Sequence, residues 1–124
     1  MSQLSLAVDI GGLKLRNPTM NAAGVLGMTH PLLKRVYEGG AGAVITKSIG
    51  PRPRGGHPNP TLVAVEGGIL NAMGLPNPGA DYFTAEIMKL KEVGVPVVGS
   101  FFGGYAQEFV EVASTLAEAG SDAL

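Results

Sequence analysis

Two stretches, Ala43-Val44-Ile45-Thr46 and Val95 to Phe102, are apolar with no alternation of polar residues. Unbroken β-rich runs of this kind mark strands covered on both faces, as in a parallel sheet. Parallel neighbours need a crossover between them, usually a helix. Three segments fit that part. Pro31 to Glu38 carries Leu32, Leu33 and Val36 at helical spacing, begins on a proline suited to a first turn and stops at Gly39-Gly40. Asp81 to Val93 repeats the pattern with Phe83, Ile87 and Leu90, and Gly94 stands where a helix would end. Tyr105 to Ala119 places Phe109, Ala113, Leu116 and Ala117 on one face before Gly120, and Ser121 to Leu124 reads as the start of another strand.

The remaining segments complete the order. Leu4 to Leu15 alternates around Gly11-Gly12, the pattern of a β-hairpin. After Asn17-Pro18, Thr19 to Ala23 reads as a short apolar strand ending at Gly24. From Gly50 to Gly68 the spacing predicts a loop, with prolines at 51, 53, 58 and 60. Loops longer than about 15 residues are usually functional or disordered. Ile69 to Leu75 is apolar but broken by Asn71 and Gly74. Behind the hairpin the order is β-α-β-loop-α-β-α-β, an α/β pattern that fits a doubly wound sheet or a (β/α)₈ barrel. No G-x-G-x-x-G follows the first strand, which weakens a dinucleotide fold. Polar residues instead sit where strands end, at Asn21 with Gly24, Lys47 with Ser48, and Ser100, and barrel enzymes keep their chemistry at such ends.

Composition excludes several function classes. Basic and acidic residues number 9 and 10, so no basic stripe exists to neutralise phosphate backbones. Only 15% of residues are charged and 45% are hydrophobic, against the composition of a disordered tail. Cysteine is absent, which removes disulfides and thiolate metal sites and accords with a cytoplasmic chain. No signal-peptide pattern is visible, and the apolar runs fall far short of the roughly 20 residues that span a bilayer. A soluble chain is expected. Glycine, at 19 of 124 residues, has roughly twice its usual share.

Lys47 is the most informative single residue. At the end of an apolar strand its ammonium either snorkels to solvent or contacts an anion or cofactor, and the neighbouring Ser48 favours the contact. Asn71-Ala72-Met73-Gly74-Leu75-Pro76-Asn77-Pro78-Gly79 reads by composition as a turn, and alternatively as a wrap around a planar polar ligand. Ala22-Ala23-Gly24 allows close backbone approach at a strand end, for packing or for a ligand. Gly103-Gly104 reads first as the start of a helix and second as a phosphate contact. His30 and His57 lack partners at metal spacing and read as exposed loop residues. Met20, Met28, Met73 and Met88 read as packing residues.

Asn17-Pro18, Asn21-Ala22-Ala23-Gly24, Ile45-Thr46-Lys47-Ser48, Gly56-His57-Pro58-Asn59-Pro60 and Gly68 to Gly79 together, in this order, resemble the dihydroorotate dehydrogenase family. The resemblance implies a (β/α)₈ TIM barrel opened by a β-hairpin. It implies oxidation of (S)-dihydroorotate to orotate in pyrimidine synthesis with bound FMN. Ala23, Gly24, Lys47, Ser48 and Ser100 would contact the flavin, although Ser100 stands where relatives often have Asn. Lys47 would also reach the orotate carboxylate. Asn71 would hydrogen-bond the substrate ring, and Ala72, Met73, Gly74 and Leu75 would surround it. The family's base, a Cys or Ser in an Asn-x-Ser-Cys-Pro-Asn-like segment, is expected beyond Leu124. With roughly 250 residues typical of such a barrel, residues 1–124 are expected to be the N-terminal half of one domain, completed by more of the same chain or by another.

The start directly at the hairpin resembles the soluble class 1 enzymes. The opening residues look closer to the group that pairs with an FAD and iron–sulfur subunit and reduces NAD than to the homodimers that reduce fumarate. A homodimer is expected in either group. Two alternatives stay open: another flavin barrel, of dihydropyrimidine dehydrogenase or dihydrouridine synthase type, and a non-catalytic fragment that needs a partner chain.

Overall fold

Gly11 and Gly12 adopt φ of +61° and +97°, the pair of positive values a tight hairpin turn needs. The computed structural model describes residues 4–24 and 26–124. It opens on the expected hairpin, β1 (Val8–Ile10) antiparallel to β2 (Leu13–Leu15). Then follow α1 (His30–Glu38), β3 (Val44–Ile45), β4 (Leu62–Val65) and β5 (Gly68–Asn71). The chain continues through α2 (Ala80–Glu92), β6 (Val97–Val98) and α3 (Ala106–Glu118). No described helix is long and apolar enough to cross a membrane.

The two unbroken apolar runs pair with each other. β3 and β6 are parallel, with Val44 opposite Val97 and Ile45 opposite Val98. A further parallel bridge joins Ile49 to Phe101. The run from Val95 to Phe102 thus forms only two residues of regular strand before it bends. On the other side of β6, Val98 bridges Ala123 in parallel, so Ser121 to Leu124 does begin a third neighbour. Asp122 fixes it: its carboxylate accepts the Val97 N–H at 2.7 Å and pairs with Lys91 at 2.5 Å.

Helices cover one face of this sheet. Leu33 of α1, Phe83, Ile87 and Leu90 of α2, and Val112 and Leu116 of α3 are fully buried with Val44 and Val97. Ile45, Lys47, Val98 and Ser100, one residue out of phase, are only half-buried. The expectation of strands covered on both faces is therefore corrected: this chain covers one.

The structure differs from the sequence pattern in four other places. No strand forms over Thr19 to Ala23. The Asn21 side chain takes its place, donating to Ile45 O at 2.8 Å and accepting from Ile45 N–H at 2.9 Å. The expected loop from Gly50 to Gly68 contains β4, which pairs with β5 from Leu62–Asn71 to Val65–Gly68. The inward face of α3 runs through Val112, Leu116 and Ala119, while Phe109 and Ala117 are exposed. Leu32, Met28, Met73 and Met88 are likewise exposed, so they are not packing residues. Among the described residues the pairings make three two-stranded sheets and no closed barrel.

Candidate active site

β3 and β6 run in the same direction, so the residues after them emerge together. Thr46 is fully buried, and its hydroxyl accepts the Ser100 N–H at 2.9 Å. That contact sets Ser100 beside the end of β3, where its Oγ lies 2.9 Å from Ser48 Oγ. Lys47, between Thr46 and Ser48 in sequence, is half-buried. Its backbone N–H donates to Gly27 O at 3.0 Å. A Cβ on Gly27 would collide with the Thr46-Lys47 backbone, so glycine is what permits this approach. Gly24 adopts φ +86°, and a Cβ there would stand 3.7 Å from Lys47 Nζ.

Gly24, Lys47, Ser48 and Ser100 are thus gathered at one end of the parallel pair, with Ala23 exposed beside Gly24. Among the described residues, the Lys47 ammonium makes no salt bridge or hydrogen bond. A half-buried cation without a counter-ion among the described residues, beside the Gly24 backbone, is suited to an anionic or carbonyl-rich ligand.

The second group runs from Asn71 at the end of β5 into the following loop. Asn71, Ala72, Met73 and Leu75 are exposed, and Gly74 is half-buried. Gly74 and Leu75 both take left-handed conformations, at φ +74° and +54°. The proline-rich segment holds this loop from outside. Ala72 N–H donates to Thr61 O at 2.8 Å, and His57 N–H donates to Met73 O at 3.1 Å. His57 packs so closely over Gly74 that a Cβ there would lie 2.6 Å from its ring.

Asn77 connects the two groups, and sequence reasoning passed over it as one turn former among several. It is 5% exposed. Its Oδ1 accepts the N–H groups of Gly50 at 3.1 Å and Gly79 at 2.9 Å, and its Nδ2 donates to Leu75 O at 2.9 Å. The available signal was the spacing Asn-x-Gly before a helix, an Asx-turn pattern.

Other candidates resolve differently. Gly104 N–H donates to Glu108 Oε2 at 2.8 Å, and Arg52 pairs with Glu108 at 3.1 Å. The Gly104 N–H is thus taken by a side chain of α3 itself, and Gly103-Gly104 leads into the helix. His57 is exposed as expected. His30 is not a loop residue: it begins α1, and its backbone N–H and Nδ1 contact Glu86 Oε2 at 2.6 and 2.9 Å. Among the described residues no group of three or more His, Asp or Glu is placed to hold a metal ion.

Comparison with known proteins narrows this chemistry. The family model described as dihydroorotate dehydrogenase matches residues 5–124. The catalytic subunit of dihydroorotate dehydrogenase B (NAD(+)) from Methanosarcina mazei is 55% identical over 120 residues, covering 95% of this chain and 38% of that protein. Its counterpart from Methanocella arvoryzae is 50% identical, with 97% and 39% covered. That from Methanocaldococcus jannaschii is 48% identical, with 94% and 39% covered. The chain spans about two-fifths of the length of the curated relatives it matches.

Proposed function

The chain belongs to the dihydroorotate dehydrogenase family, and from that premise we propose that it forms part of an enzyme oxidising (S)-dihydroorotate to orotate in pyrimidine synthesis. The observation that carries the assignment is Lys47: a half-buried ammonium with no counter-ion among the described residues, at a strand end that also holds Gly24, Ser48 and Ser100. Dihydroorotate is a ring of amide and carbonyl groups with one carboxylate on a saturated carbon, and its oxidation product orotate is planar. In this reading Lys47 holds that carboxylate, Asn71 hydrogen-bonds the ring, and Ala72, Met73, Gly74 and Leu75 enclose it.

The same strand end fits FMN. Gly24 at φ +86° sets bare backbone beside Lys47 Nζ, which a Cβ there would approach to 3.7 Å. Ala23 and Gly24 would lie along the ring system, and Lys47, Ser48 and Ser100 would offer donors to its carbonyls. Bound FMN would accept the hydride of the oxidation. The residues here bind and orient; the base that takes the substrate proton is proposed to lie outside these 124 residues.

The half-covered sheet face supports a (β/α)₈ barrel whose remaining strands come from more of the same chain or from a second one. The relatives' names, catalytic subunit and NAD(+), support a partner subunit for electron transfer. We extend that to an FAD and iron–sulfur protein, a homodimeric catalytic core and a cytoplasmic location.

The test is the complete flavin-loaded enzyme with dihydroorotate as substrate. Lys47→Ala is expected to weaken orotate binding by on the order of thirtyfold, since a buried charge pair is truncated, and to loosen flavin retention. Unchanged affinity for both would remove Lys47 from the site, and no turnover of dihydroorotate by the unmutated enzyme would reject the activity.

A further inference from the structure

Resting on that reading, we infer that Asn77 is the positioning residue of the substrate loop, setting the geometry of Asn71 to Leu75 relative to Lys47 without touching substrate itself. Leu75 adopts φ +54°, a left-handed conformation that disfavours any residue with a Cβ. Such a conformation persists only where its surroundings over-determine it. Here the Asn77 amide does so, donating to the Leu75 carbonyl at 2.9 Å.

The other side of the same amide fixes where that loop stands. Its oxygen takes the N–H of Gly50 at 3.1 Å, and Gly50 follows Lys47 by three residues at the end of β3. It also takes the Gly79 N–H at 2.9 Å, just before α2 begins. The Asn77 backbone exchanges two hydrogen bonds with Arg54, at 2.8 and 2.9 Å. One buried side chain therefore ties the loop meant for the substrate ring to the strand end meant for its carboxylate.

A primary amide fits these contacts because its oxygen makes both acceptances while its nitrogen, a separate atom, makes the donation. A carboxylate at 77 keeps both acceptances but turns an oxygen towards the Leu75 carbonyl. A serine offers a single, shorter-reaching oxygen in place of the two separated amide atoms, so it cannot serve the Gly50, Gly79 and Leu75 groups together.

The experiment compares Asn77→Asp and Asn77→Ser with the unmutated protein in the complete flavin-loaded enzyme. Flavin content, orotate affinity read from the flavin absorption change, and KM and kcat for dihydroorotate are measured together. Flavin content is expected to hold in at least one variant while the orotate Kd and the KM rise about tenfold or more, with a smaller change in kcat. Values within twofold of the unmutated enzyme would overturn the inference. So would a parallel loss of flavin and orotate binding in both variants, which would assign Asn77 to folding alone. An unmutated enzyme that binds flavin but not orotate sinks the activity assignment, and this inference with it.

Discussion

Glu86 is nine-tenths buried against α1, where burial alone would raise the pKa of an unpartnered carboxyl. Burial does push its pKa up, and that is the largest single influence. The His30 backbone N–H, the His30 ring and charge, and Lys89 at 3.5 Å together outweigh it and hold the carboxyl below its usual value. With the folded value depressed, the stabilisation is complete above the unfolded-state pKa of about 4.3 and is lost as pH falls through the folded value. Glu86→Gln is therefore expected to flatten the dependence of unfolding free energy on pH below about pH 4.3. Urea midpoints of both proteins across the acid range test this, and identical slopes would reject it. Nothing in the sequence announced the pair, since its members lie 56 residues apart. Lys47, Ser48 and Ser100 were legible because each follows an apolar strand run, which by itself says where a chain leaves a sheet. Asn77 was not, because an Asn among prolines and glycines looks the same whether it points to solvent or holds three backbone groups.

At the scale of elements, Arg16 shows what joins the hairpin to the rest. It follows β2, and its guanidinium lies 4.0 Å over the Tyr37 ring. It donates to Ala41 O at 3.0 and 2.8 Å and also to Tyr37 O, carbonyls at and beyond the C-terminal end of α1. Asn17 adds a bond from its Nδ2 to Gly40 O at 2.8 Å. Arg16→Lys keeps the charge and loses the planar fork. It is expected to lower the unfolding free energy by about 1 kcal/mol, modest because the site is exposed. A denaturation midpoint unmoved by the change would show that the stacking holds nothing. The hairpin and the three helices were readable from paired glycines and 3.6-residue spacing. β4 was hidden because four prolines before it made the whole segment look irregular. The α3 face was misjudged because a large Phe109 suggested the core, whereas that ring packs edge-on to Phe101 at 5.9 Å on the periphery. The strand expected at Thr19 to Ala23 is apolar enough, but one amide from Asn21 already satisfies Ile45.

For the whole molecule the dominant feature is apolar surface that this chain does not cover itself. Ile45 and Val98 face away from the helices. The hairpin of β4 and β5 exposes Leu62, Val63, Val65, Ile69 and Leu70. Surfaces of this kind lead to association unless something covers them. Residues 1–124 alone are expected to self-associate as concentration rises. Val63 and Leu70 are directly opposed, so Val63→Glu with Leu70→Lys places an attractive pair across the hairpin while removing apolar surface. Light scattering should then report a mass nearer the monomer, and an unchanged mass would clear the hairpin of that role. The Asn21 clamp carries a different consequence, for how the molecule breathes. The Thr46 amide donates to Val98 O and meets water only when two strands part. The Ile45 amide next to it is held by one side chain, and a rotation about χ1 of Asn21 is enough to expose it. Neighbouring amides in one strand would thus exchange their protons by separate motions, one confined to a residue and the other shared by the sheet.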